Sequence, residues 1–227
     1  MLLAGLLASG DAHAQTASCT SHAPDTWDAQ ISVSVYCAGA PLPTISAVAD
    51  RMALPLFAGA PLAAGGYAIA TRSQPRFGDA YRLGVSMTGA YVVTHSLKRL
   101  IGRPRPYATG LVERRDLSVS AEEASILSLD DRLSMPSGHA TLAAALATSW
   151  SLSHPYWYVI APAAVWATAT SASRVHLGVH YVSDVAVGAL IGSGAAVLVH
   201  SIRSSITPSV FDTAEGSRPK IGVVVLL

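Results

Sequence analysis

The stretch Ser173-Arg174-Val175-His176-Leu177-Gly178-Val179-His180-Tyr181-Val182-Ser183-Asp184 places an arginine, a histidine and a carboxylate at spacings suited to holding and attacking one anionic group. With a helix running from about Val179, His180 and Asp184 stand at i and i+4 on one face, where the carboxylate accepts the imidazole N–H. The other ring nitrogen is then left as a lone-pair nucleophile or base. Arg174 falls in the turn leading into that helix, where its planar fork reaches an oxyanion gathered at the helix N-terminus. Taken alone, these residues fit an ordinary helical His–Asp pair beside an unrelated arginine equally well.

Two earlier stretches bear on the choice. In Pro136-Ser137-Gly138-His139, ahead of an apolar Ala-rich run, Ser137 reads as an N-cap. Gly138 lets the backbone come close to a ligand, so that free N–H groups point at a bound anion with His139 beside it. The bland reading is common turn chemistry with a solvated histidine. Lys98-Arg99-Leu100-Ile101-Gly102-Arg103-Pro104-Arg105-Pro106 closes another apolar run. Its cations would suit a charge collar at the end of a membrane helix, whereas its prolines and glycine favour an ordered, non-helical turn.

In order along the chain the three stretches read Lys-x6-Arg-Pro, Pro-Ser-Gly-His and Ser-Arg-x5-His-x3-Asp. This signature resembles that of the type 2 phosphatidic acid phosphatase superfamily, which includes lipid phosphatases, bacterial class A acid phosphatases, glucose-6-phosphatase and vanadium haloperoxidases. Arg103-Pro104 offers a second Arg-Pro register, but Arg105-Pro106 has the family's spacing from Lys98. The resemblance implies that Lys98, Arg105 and Arg174, with Ser137 and Gly138, bind phosphate. It implies that His180 attacks phosphorus to form a phosphohistidine, Asp184 supports His180, and His139 protonates the leaving group and then activates water. No cofactor is implied. A rival metal face, His176-His180-Asp184, is disfavoured because converging cations repel a dication.

The composition fits a membrane setting. Only 13% of the 227 residues are charged, against about 25% in an average soluble domain. The net charge of +1 gives no sign of a nucleic-acid partner. Ala53–Thr71, Leu83–Leu97, the stretch after His139 and Val185–Ile202 carry almost no charge, so these helices have no charged face for water. Each approaches the length that crosses hydrocarbon. Their many Ala, Gly, Ser and Thr suit close packing of helices in a bilayer. The expected fold is therefore an all-α helical bundle of about five to six helices, membrane-embedded, with a soluble periplasmic bundle as the alternative.

The expected organisation is a signal peptide or N-terminal anchor over 1–14, an irregular exported segment over 15–45, a helical phosphatase domain over 46–207 and a tail over 208–227. Cys19 and Cys37 in an exported segment favour a disulfide. Arg72–Arg82 reads as a polar loop, residues 107–135 as a charged excursion returning the second motif to the first, and Ser153-His154-Pro155 as a helical hairpin. If the arginine loop is cytoplasmic, the motifs face the periplasm. The functional expectation is a metal-independent phosphatase in the bacterial inner membrane acting on a phosphorylated lipid. The alternatives are a soluble nonspecific acid phosphatase and a non-catalytic binder of lipid phosphates.

Overall fold

The computed structural model describes Cys19 and residues 24–115 and 132–206. The expected leader, the charged centre of the excursion and the tail lie outside the described residues. Six main helices make up the described chain: α1 (Trp27–Tyr36), α2 (Leu42–Thr71), α3 (Gln74–Ile101), α4 (Gly138–Ser153), α5 (Trp157–His176) and α6 (Val182–Ser201). A 3-10 turn spans Pro106–Thr109, and a short helical turn, Arg203–Ile206, follows α6.

Two expectations about boundaries are corrected. The segment over 15–45 is not irregular throughout: Thr26 caps α1 through its side-chain oxygen, 3.4 Å from the Ala29 N–H, and α2 already begins at Leu42. The disulfide between Cys19 and Cys37 closes the loop that contains α1. Nor is Arg72–Arg82 a loop. Arg72, in the left-handed conformation at φ 48°, ends α2, and Pro75 in the first turn of α3 starts the next helix at once. Arg82 is consequently helical and buried, paired with Asp79 at 2.7 Å.

α2 continues through Pro55 and Pro61 and, at about 1.5 Å per residue, is the longest element of the bundle. α4 lies at the centre, against α3, α5 and α6. Ala143, Ala145 and Leu146 of α4 form a core with Ala53 and Phe57 of α2 and Leu83, Met87 and Ala90 of α3. On the other side of α4 the backbones come still closer. A Cβ placed on Gly188 of α6 would stand 2.6 Å from the Ser137 carbonyl oxygen, and one on Gly192 would collide with the Thr141 carbonyl and stand 2.9 Å from the Ala145 nitrogen. Glycines four residues apart on one face let two helices touch along their backbones.

Antiparallel alternation then places the C-termini of α3 and α5 and the N-termini of α4 and α6 at one end of the bundle. The Arg72-Ser73 connection and the Ser153-His154-Pro155 turn lie at the other.

Candidate active site

Each motif is set by a helix terminus. Lys98 occupies the last turn of α3, which closes at Gly102, φ 64°, with the Gly102 N–H on the Lys98 carbonyl. The chain leaves through Arg103-Pro104-Arg105-Pro106 and is joined by the far end of the excursion: the Ser134 N–H donates to the Arg103 carbonyl at 2.7 Å, and the Arg105 N–H to the Arg132 carbonyl at 3.3 Å. Between these bonds, the Leu133 carbonyl accepts both Lys98 Nζ at 3.1 Å and Arg105 Nε at 3.2 Å. One backbone oxygen thus draws two cations together.

Ser137 is the N-cap of α4, but not in the expected manner. Its backbone N–H donates to the Asp184 carbonyl at 3.0 Å, tying the start of α4 to the start of α6, and so does not point at a ligand. The Ser137 hydroxyl is fully buried and finds no hydrogen-bond partner among the described residues. The N–H groups of Gly138 and His139 belong to the first turn, where no intrahelical acceptor exists. His139 packs edge-on against Phe57, ring centroids 5.7 Å apart.

The third motif also differs from expectation. α6 starts at Val182 rather than near Val179, and Arg174 lies in the last turn of α5 rather than in the following turn. The connection between them turns at Gly178, φ 73°, where a Cβ would stand 2.6 Å from the Glu113 carbonyl. The Arg174 carbonyl accepts the N–H groups of both Val179 and His180 at 3.2 Å, which fixes His180 in this turn. Asp184 is the N3 residue of α6, and its Oδ2 accepts the Tyr181 N–H at 2.8 Å. Capping geometry, not a shared helix face, therefore brings the two side chains together: His180 Nδ1 is 3.6 Å from Asp184 Oδ2. The Ser134 hydroxyl donates to that same oxygen and lies 3.4 Å from His180 Nδ1. With Nδ1 on this side, Nε2 is the ring nitrogen left for chemistry.

Arg174 is buried, and its guanidinium is partnered by Asp50 of α2 and the Ser173 hydroxyl. His176 is turned toward α1, 3.3 Å from the Val35 carbonyl. The described residues contain no group of three His, Cys, Asp or Glu side chains placed to hold a metal ion.

Burial depresses His180 strongly, to about 3; Asp184 opposes this, while Arg105 and Lys98 add to it. Ser134 joins motifs one and three, its N–H on the Arg103 carbonyl and its hydroxyl on Asp184. His180 is neutral in the fold well below the pH at which it protonates in an unfolded chain, so the unfolded state binds the extra proton between about pH 6.5 and the folded value near 3. Stability from this residue is present above that window and lost as pH falls through it. The Tm of the native protein minus that of a His180→Gln variant, measured in detergent, should therefore fall from pH 7 to pH 4, whichever of the two melts higher at pH 7. A value that stays level or rises would contradict the buried neutral ring.

Ser134, Arg103, Asp28 and Asp50 were not among the sequence-predicted site residues. Arg103 was visible only as a spare Arg-Pro register. Ser134 precedes the second motif without belonging to it, and neither Asp28 nor Asp50 carries a local signal.

The chain belongs to the PAP2 superfamily, whose family model matches residues 79–207. It is similar to decaprenylphosphoryl-5-phosphoribose phosphatase of Mycobacterium tuberculosis, found in strains CDC 1551 / Oshkosh and ATCC 25618 / H37Rv, at 34% identity over 115 residues. That match covers 50% of this chain and 55% of the relative, so the chain spans about half the length of the curated relatives it matches. In fold it is similar to the crystal structure of Aquifex aeolicus LpxE, with TM-score 0.56 and 23% identity over 79% of this chain and 98% of that one. It is likewise similar to the first transmembrane PAP2 type phosphatidylglycerolphosphate phosphatase from Bacillus subtilis, with TM-score 0.56 and 22% identity over 87% of this chain and 94% of that one. The all-α bundle is thus a PAP2 fold.

Proposed function

We propose that this protein is a metal-independent phosphatase that removes phosphate from a monoester or pyrophosphate of a membrane lipid through a phosphohistidine. The observation that carries the reading is the pairing of Lys98 and Arg105 on the Leu133 carbonyl, one residue before Ser134, whose hydroxyl donates to Asp184 beside the buried His180. Two cations beside an uncharged imidazole suit a phosphate and repel a metal dication.

In the first step Nε2 of His180 forms a bond to phosphorus as the bond to the lipid oxygen breaks. His139 supplies the proton that the departing oxygen takes. The imidazole becomes cationic, with Asp184 and Ser134 on its Nδ1 side. In the second step His139 removes a proton from water, the water oxygen bonds to phosphorus, and the P–N bond breaks to return neutral His180. Lys98, Arg105 and Arg174 neutralise the equatorial oxygens, with the first-turn N–H groups of α4 and the Ser137 hydroxyl completing the cradle. Arg174 has more donors than Asp50 and Ser173 accept, so that ion pair and a phosphate are compatible.

The outer surface supports the lipid setting. α2 and α6 are long and apolar enough to cross a membrane, and only 17% and 28% of their most apolar windows are buried within the protein. Core helices of a soluble protein would be covered; here Leu54, Leu62, Ile69, Leu190 and Leu198 all lie exposed. This disfavours a soluble acid phosphatase. Exposed Tyr156, Trp157 and Tyr158 form an aromatic group at the end away from the motifs, the end that also carries Arg72, Arg76 and Arg203. That end is assigned to the cytoplasm and the site to the periplasm. Two of the relatives are named for phosphates on lipids, which supports the substrate class.

The test is phosphate release by the detergent-purified protein from phosphatidate, phosphatidylglycerophosphate and a polyprenyl pyrophosphate, after fractionation into membrane and soluble pools. Release from at least one lipid by a membrane-bound protein is expected, with vanadate inhibiting and EDTA without effect. Inhibition by EDTA that zinc reverses would overturn the mechanism.

A further inference from the structure

The first described helix, α1, lies outside the part of the chain matched by the family model, yet it reaches the site. Its Asp28 is buried. Asp28 Oδ1 accepts the Ser183 N–H at 3.0 Å and Oδ2 the Ser183 hydroxyl at 2.6 Å. Oδ2 also accepts Arg103 Nη2 at 2.7 Å. Through Nη1 the same guanidinium donates to Asp184 Oδ1 at 2.9 Å and to Ser183 Oγ at 2.7 Å, and its plane stacks over Tyr181 at 3.7 Å. Arg103 is therefore clamped between two carboxylates, one from α1 and one directly behind His180.

We infer that Asp28 and Arg103 are positioning residues for His180, acting through Asp184; the inference rests on the phosphatase reading above. Asp184 has two oxygens with different tasks. Oδ2 faces His180 Nδ1 and Ser134, while Oδ1 is held by Arg103. A guanidinium on Oδ1 fixes the plane of the carboxylate, but alone it would also cancel the negative charge needed opposite a cationic His180. Asp28 on the far side of Arg103 restores that charge: the Asp28–Arg103–Asp184 group keeps one net negative charge, with both carboxylates buried. Remove Asp28, and Arg103 turns its full charge on Asp184, weakening the carboxylate where the covalent intermediate needs it.

α1 also contributes through a neutral contact that serves as a control. Ser32, one turn after Asp28, accepts the Val182 N–H at 3.0 Å and so caps α6 without charge.

The experiment compares Asp28→Asn, Asp28→Glu, Arg103→Gln, the double variant Asp28→Asn/Arg103→Gln and Ser32→Ala in the full-length detergent-solubilised protein. Asp28→Asn, close to isosteric, is expected to lower kcat by at least about tenfold with KM within about threefold. Asp28→Glu should recover part of the loss, and the double variant should lose less than the product of the single losses, because both act through one carboxylate. Ser32→Ala should lower Tm while leaving kcat unchanged. Should Asp28→Asn lower Tm and keep kcat within twofold of a His180-dependent wild type, α1 is only a brace and the inference fails while the phosphatase reading stands. A wild type inactive on every lipid sinks that reading instead, and histidine-ring nitrogen NMR then decides the inference. Asp28→Asn must shift the His180 Nδ1 resonance while leaving those of His154 and His200 in place; an unmoved His180 resonance overturns it. If Asp28→Asn does not fold, Arg103→Gln in the same two measurements takes its place.

Discussion

Alanine at His180 is expected to leave a folded, membrane-inserted protein whose phosphate release falls by at least about a thousandfold. The size follows from what is removed. If His180 forms the bond to phosphorus, no neighbouring side chain can replace it. Ser134 is hydrogen-bonded to Asp184, and Asp184 spends Oδ1 on Arg103 and Oδ2 on the Tyr181 N–H and Ser134. Stability should survive, because the turn holding His180 is fixed by backbone bonds to the Arg174 carbonyl and by Gly178 rather than by the ring. A buried ring held neutral among cations stabilises the fold less than an apolar side chain of the same size would. The measurement is single-turnover phosphate release at saturating lipid, with Tm and gel filtration to show folding. Activity within tenfold of wild type in a folded His180→Ala protein would remove the nucleophile assignment. Ser134→Ala sets the scale for a supporting group, with an expected loss of about tenfold.

The site was more legible than the scaffold because its chemistry is written in residue types at fixed spacings, whereas its support is built from contacts distant in sequence. Lys98, Arg105, Ser137, His139, Arg174, His180 and Asp184 could be singled out from three short stretches. The helical bundle could be read from long uncharged runs. Asp28 could not, since it meets Ser183 across 155 positions and Arg103 across 75, and nothing in Thr26-Trp27-Asp28 announces a partner. Proline and charge density misled in two places. The prolines of 15–45 stand on either side of α1 rather than within it, and Arg82, which looked like loop polarity, is buried against Asp79. The i and i+4 spacing of His180 and Asp184 did bring them close, but through the cap of α6, a geometry that spacing alone does not distinguish from a helix face. Arg174 illustrates the remaining gap: its position in the motif was plain, while its ion pair with Asp50 depends on how α2 crosses α5.

The second large effect is expected from the backbone contact between α4 and α6. Valine at Gly192 should cost at least about 3 kcal/mol, at the upper end of overpacking costs, because the added Cβ meets backbone that cannot rotate away: the Thr141 carbonyl and the Ala145 nitrogen. β-branching adds a smaller helix-propensity penalty. Gly194, two residues on, is the internal control. Its Cβ position is open, so Gly194→Ala should be neutral or stabilising by up to about 1 kcal/mol, since alanine is the better helix former. Thermal unfolding in one detergent compares the two, and a Gly192→Val protein that melts with wild type would show that the helices do not touch there. Gly188 links the contact to the candidate site. Its Cβ position lies against the Ser137 carbonyl, the residue whose N–H holds the Asp184 carbonyl. Gly188→Ala should push α6 off the start of α4 and move Asp184 relative to His139. It is therefore expected to lose activity out of proportion to stability, whereas Gly192→Val, a turn deeper, loses mainly stability.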